Sequence, residues 1–233
     1  MQVAVMQPYF FPYIGYFQLM SAADKFVIFD DVNYIVRGWI NRNRILSNGD
    51  IIQFTLPVAN QSQNKIICNH NLAENKNIWT NRFLKTVTHA YSNAPFFKQV
   101  FPVIEEIITN KEANLSDYLR YSLYRLTDFL TIETQLIGTS RNYDNAHLKG
   151  EDRIINICNQ EQATSYINPA AGSQLYNPIH FQSHDIKLHF LKPNQLEYTQ
   201  QTQSFTPWLS IIDIMMYDLG RLSQHLRAYQ ICS

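Results

Sequence analysis

The sequence predicts an α/β fold: a parallel-sheet core opened by a β-loop-α-β unit, then a helical insertion and a less regular C-terminal α/β part. Three observations carry this. Residues 2–6 (QVAVM) and 25–29 (KFVIF) are short, nearly continuous apolar runs, as expected of strands covered on both faces, with a helical stretch at 17–23 between them. That order implies a parallel pair joined by a right-handed crossover, with its functional face at the carboxyl ends of the strands. A strand at 134–137, a Gly138-Thr139-Ser140-Arg141 turn and a helix at 151–160 then repeat the strand-loop-helix logic.

Between these two units, residues 51–57 (IIQFTLP) read as a strand and the polar run 59–65 (ANQSQNK) as a mobile loop. Helices are expected at 77–90, with Trp79, Phe83 and Val87 on one stripe, at 101–109, and at 116–130 with Ser116 as N-cap. The last third offers strands at 165–167 and 186–190 and a helix at 210–219, whose Ser210 and Asp213 form a capping-box-like start. With no internal repeat and no Gly/Pro-rich linker, residues 1–233 are expected to form a single compact domain, any sub-division falling near residue 145.

Of the 233 residues, 45% are hydrophobic and 13% aromatic, enough for a substantial core, and 19 basic residues balance 19 acidic ones. A neutral chain has no overall field to draw it onto nucleic acid or anionic lipid, so anion sites must be local. Cys68, Cys158 and Cys232 lie far apart with no Cys-x-x-Cys pair, and the N-terminus opens directly on a strand. A reduced, cytoplasmic protein without a membrane span is the expectation. No His/Cys/carboxylate spacing marks a metal site, and no Gly-x-Ser-x-Gly elbow, Walker loop or Gly-x-Gly-x-x-Gly occurs.

Two segments concentrate chemistry. In residues 5–16 (VMQPYFFPYIGY), Pro8 and Pro12 fix the loop after the first strand, Gly15 permits close backbone approach at the next helix start, and free N–H groups there suit a phosphate or carboxylate. Gln7, Pro8, Tyr13, Gly15 and Tyr16 are its candidate substrate-binding residues. The spacing is similar to the first motif of nucleotidylyltransferases, of HUP-type fold, with Tyr13 and Tyr16 where those enzymes have histidines; Ser140 and Arg141 echo their phosphate-clamping turn. The second segment, 30–44 (DDVNYIVRGWINRNR), ends a strand with two carboxylates and follows them with arginines. Asp30 and Asp31 suit an acid/base pair or a divalent ion, Arg37 or Arg42 an anion, and Trp39 a stacked sugar or base, with Asn43 beside them. An Asp/Arg network that merely braces a loop is an equal alternative.

These stretches, with Phe29-Asp30-Asp31-Val32 and Trp39-Ile40-Asn41-Arg42-Asn43, closely resemble the opening of the WbqC-like family. Tyr91 with Ala94-Pro95, the Ser140 turn, Tyr198-Thr199-Gln200, Phe205 and Leu209-Ser210-Ile211-Ile212-Asp213 extend the match along the chain; Asn168-Pro169 departs from it. The resemblance implies a role in bacterial surface-polysaccharide (O-antigen) biosynthesis: a transferase or ligase joining an acyl or aminoacyl group to a nucleotide-linked amino sugar. The alternative is a non-catalytic nucleotide-sugar-binding protein. Asp30, Asp31 and Arg42 are then the catalytic candidates. The partner is a small molecule, a sugar nucleotide or amino acid, rather than nucleic acid, and the cofactor stays open, with ATP and magnesium as candidates.

Overall fold

The computed structural model describes residues 1–202 and 204–232. Eight strands and eight α-helices follow one another as β1 (Gln2–Met6), α1 (Ile14–Ser21), β2 (Lys25–Ile28), β3 (Arg42–Ser47), β4 (Asp50–Thr55), α2 (Lys76–Tyr91), α3 (Phe97–Thr109), α4 (Leu115–Phe129), β5 (Gln135–Ile137), α5 (Gly150–Gln160), β6 (Ser165–Pro169), α6 (Pro178–Gln182), β7 (Lys187–Pro193), α7 (Ile211–Asp218), α8 (Leu222–Leu226) and β8 (Tyr229–Cys232) among the described residues. Six strands form one sheet in the order β5-β2-β1-β6-β7-β8, parallel throughout except for the β7–β8 pair. Strand order reverses direction between β1 and β6. In doubly wound sheets that point opens a crevice at the carboxyl ends of the strands.

Period-two alternation sends neighbouring side chains to opposite faces. Ala4, Phe26, Ile28 and Ile167 join the larger core, with α1, α2, α3, α4 and α7. Val3, Val5, Val27 and Tyr166 join a smaller core with Ile154, Ile157 and Cys158 of α5 and Phe181 of α6. Both faces are therefore covered, which is why β1 and β2 read as unbroken apolar runs.

The expected α/β architecture with a helical insertion stands, and the structure adjusts its parts. The arginine-rich stretch is irregular up to Asn41, and its end, Arg42 to Arg44, opens strand β3, paired antiparallel with β4 from Arg42↔Thr55 to Ser47↔Asp50. The two-residue turn between them is Asn48-Gly49, both at positive φ (51° and 87°), the conformation that an Asn-Gly hairpin favours. Helix α3 starts at Phe97, earlier than expected, with Pro102 inside it. The polar run at 59–65 is tied down: His70 Nδ1–H donates to Ile66 O (2.9 Å) and its Nε2 accepts from Ser62 N (3.2 Å).

Helix α4 is capped by Asn114, whose side chain accepts from Ser116 N and Asp117 N, and Ser116 is freed for another role. Replacing Asn114 by Ala is expected to lower stability by about 1 kcal/mol, read from the urea midpoint, with the helix retained.

Candidate functional site

The loop after β1 does two jobs. Phe10 and Phe11 are fully buried, Phe10 packing against Phe54, Trp79, Phe83 and Tyr118. Phe11 adopts a left-handed backbone, φ 43°. Its carbonyl accepts from Asn43 Nδ2 (2.7 Å) and Ser210 Oγ (2.8 Å). Phe10 N donates to Ile40 O, Ser210 N to Arg44 O, and Ile211 N to Pro12 O, at 2.9–3.1 Å. Loop, hairpin and the start of α7 are thereby laced together.

Of the residues expected to bind substrate here, Pro8 and Tyr16 are buried, and Tyr16 donates its hydroxyl to Gln7 O (2.9 Å). Burial pushes that phenol far above its ordinary value. Gly15 serves the loop through sterics: a Cβ there would lie 2.3 Å from Cε2 of Tyr13, whose ring folds back over the helix start.

Tyr13, Trp39 and Asn43 do line a cleft of about 230 Å³, together with Tyr9, Pro12, Arg44 and Trp208. Trp39 and Trp208 are 44% and 59% exposed. The guanidinium carbons of Arg42 and Arg44 sit 5.7 and 5.8 Å from the Trp39 ring, within cation–π range. Arg44 Nε also donates to Trp208 O (3.2 Å), and Trp208 packs edge-on against Tyr13 at 5.6 Å. Arg42 Nε is buried without a hydrogen-bond partner among the described residues. Aromatic faces and the Arg44 guanidinium in one recess suit a ligand that combines a ring with an anionic group.

Asp30, Asp31, Ser140 and Arg141 also come together, at the carboxyl ends of β2 and β5. Asp30 is fully buried and accepts from Ser116 Oγ (2.6 Å), Thr139 Oγ1 (2.7 Å) and Ser140 N (3.1 Å), with the Arg141 guanidinium at 3.5 Å. Asp31 pairs with Arg153 at 2.6 Å and accepts from Ser140 Oγ; the side chains of this ion pair are 8% and 6% exposed. Arg153 is held further by Asn145 Oδ1 (2.9 Å) and lies over Phe29. The lone pairs of both carboxylates are thus engaged internally, and Arg141, half exposed, is the open member. The Cys68 thiol sits nearby, pushed up by burial and then by Asp30.

A third cluster escaped the charge-based reading. Asp213 in α7 is fully buried and accepts from Tyr91 OH (2.8 Å), Tyr198 OH (2.8 Å) and Gln200 Nε2 (3.0 Å). It makes no capping box, while Ser210 does cap α7 through Ile212 N. Burial raises the Asp213 carboxyl above its ordinary value, and the three hydrogen bonds pull against that. These residues sit far apart along the chain, and the resemblance singled out each of them. Asn168, where the resemblance breaks, accepts from Tyr166 OH (3.2 Å) at the end of β6.

Fold and cleft define a doubly wound α/β protein with an aromatic-arginine recess at the carboxyl end of its first strand. The chain belongs to the WbqC-like protein family, which it matches over residues 7–220. It is similar to an uncharacterized protein of Mycobacterium tuberculosis (strain ATCC 25618 / H37Rv), 29% identical over 229 residues, 97% of each chain. No solved structure matches it. Among the described residues no helix is long and apolar enough to cross a membrane.

Removing one partner of the dry Asp31–Arg153 pair strands the other. Asp31→Ala is expected to cost about 3–5 kcal/mol in urea unfolding, and Asp31→Ala with Arg153→Met less than that. The Asp213 shift has the opposite sign from a salt-bridged carboxylate. Its contribution to stability is full below the unfolded pKa of about 4 and is lost as pH rises through the raised folded value. The stability difference between wild type and Asp213→Asn is therefore expected to move against wild type as pH climbs from about 4 to about 7, measured by urea midpoints across that range.

Proposed function

We propose that this chain binds a nucleotide-linked amino sugar in the aromatic cleft and serves bacterial surface-polysaccharide assembly, of the O-antigen kind, by joining an acyl or aminoacyl group to that sugar's amine. The observation that carries the reading is the pairing of two exposed indoles, Trp39 and Trp208, with the Arg44 guanidinium in one recess, the Arg42 guanidinium lying against the Trp39 ring. Sugar and base rings stack on indoles, and a diphosphate is recognised by guanidinium groups. Strand order around the β1–β6 switch point supports a nucleotidylyltransferase-like ancestry. In this reading Tyr13 contacts ligand and Tyr16 supports the loop. Gln7 and Asn43 hold it in place. Arg141 remains the candidate for a second anionic group, and Asp30 and Asp31 act by fixing the Ser140–Arg141 turn.

A second reading, a catalytically silent sugar-nucleotide binder, is favoured by one observation: the oxygens of Asp30 and Asp31 already accept hydrogen bonds from Ser116, Thr139, Ser140 and Arg153. Two measurements separate the readings. Calorimetric titration with UDP- and dTDP-linked amino sugars is expected to show binding that weakens roughly tenfold or more in Trp39→Ala, the loss of a stacked ring costing about 1–3 kcal/mol. Arg44→Met is expected to weaken binding and flatten its salt dependence. Unchanged affinity in both variants would sink the cleft as the site. Mass spectrometry of the surface glycan with and without the gene tests transfer: loss of one acyl substituent supports the enzyme, and an unaltered repeat unit supports the silent binder.

A further inference from the structure

Beside the aromatic cleft lies a larger cavity, of about 730 Å³, that shares Tyr13 and Trp208 with it. It is built by the chain that leaves the carboxyl end of β7, between Lys192 and Tyr198, and by the approach to α7. We infer that this cavity is a second binding compartment, for a small carboxylic acid with an apolar body, its carboxylate held at Lys192. The inference deepens the reading above by naming the class of small molecule held beside the sugar site, and it rests on that reading for that molecule's role.

The lining decides the class. Leu196, Phe205, Pro207, Leu209 and Ile214 give it apolar walls, and its charged groups are Lys192 and Glu197, both exposed. A recess of this size and character excludes water around an apolar body and leaves one charged end for the ligand's anion. Lys192 makes no ion pair among the described residues. Glu197 accepts from Gln195 Nε2 at Oε1 (3.1 Å), so an α-amino acid would find an acceptor for its ammonium group at this side chain and a simple carboxylic acid would not need one.

The walls are also held in place. Tyr198, on one side, has its hydroxyl fixed by Asp213 and Gln200. Trp208, on the other, is a non-glycine residue at φ 61° whose carbonyl is anchored by Arg44. Such a backbone is strained and persists only where its surroundings over-determine it, a pattern concentrated at binding sites. Two recesses with one common wall provide what joining two small molecules requires, both held at once and close together.

The test follows the indole N–H resonances of Trp39, Trp79 and Trp208, assigned with single Trp→Phe variants, during titration of the full-length protein. Octanoate and phenylalanine are expected to shift Trp208 and leave Trp79 unmoved, octylamine to shift neither indole, and Lys192→Gln to weaken both carboxylates by about tenfold. Glu197→Gln weakening phenylalanine alone identifies an amino acid as the ligand; no effect on either identifies a simple carboxylic acid, and both results support the compartment. Equal binding of octylamine and octanoate, no effect of Lys192→Gln, or a Trp208 signal unmoved by millimolar carboxylate overturns it. A UDP-linked amino sugar, added separately, reports at Trp39. A Trp208 response to carboxylates with a silent Trp39 overturns the cleft reading and leaves the compartment standing, and the reverse pattern does the opposite.

Discussion

The carbonyl of Phe11 is where the candidate site is joined to the fold. It belongs to a non-glycine residue in the left-handed region, a conformation that costs of order 1–2 kcal/mol. Two donors from distant parts of the chain, Asn43 Nδ2 and Ser210 Oγ, converge on it, each contributing about 1 kcal/mol net. Phe10, one residue earlier, adds a fully buried ring packed among four aromatic side chains from β4, α2 and α4. The twist at Phe11 lets Phe10 and Phe11 enter the core while Tyr9 and Tyr13, on either side of them, line the cleft. Without the two donors the backbone has little reason to hold that turn.

The same lacing explains why residues from three regions meet at one recess. Asn43 and Arg44 are neighbours on β3 with different duties: Asn43, buried, grips the loop carbonyl, and Arg44 reaches over Trp39 to the carbonyl of Trp208. Ser210 closes the circuit by capping α7 and bonding Phe11 at once. Charge in this neutral chain is likewise distributed by burial. The dry Asp30 and Asp31 carboxylates are matched by hydroxyls and Arg153, the dry Asp213 by two phenols and an amide, and Arg42 and Arg44 are left beside the cleft.

Much of the scaffold was legible because its signals are local. Apolar runs at β1 and β2 and the stripe of Trp79, Phe83 and Val87 on α2 need no knowledge of partners. Strand β3 is less legible because its polar opening, Arg42-Asn43-Arg44, breaks the apolar alternation of a strand, although Asn48-Gly49 carries a hairpin signal. The site was half legible. Tyr13, Trp39 and Asn43 were placed in the cleft's vicinity by motif, but whether a carboxylate is open or consumed depends on donors such as Ser116, Thr139 and Arg153, distant in sequence. Trp208 gave no local sign, since its exposure results from the left-handed turn that sets it beside Tyr13.

That contrast bears on how function is read in this family. Paired acids at a strand end invite a catalytic role, yet here each carboxylate oxygen already has a donor, and drawing one into chemistry would leave Arg153 or a set of hydroxyls unsatisfied in a dry interior. The exposed indoles present the opposite balance. Burying Trp39 and Trp208 against a ligand ring would cover apolar surface that the folded chain leaves in water, with the arginine groups already in position. The aromatic wall shared by the two recesses therefore leaves more apolar surface for a ligand to cover than the acidic knot at β2 and β5, whose polar groups are already paired.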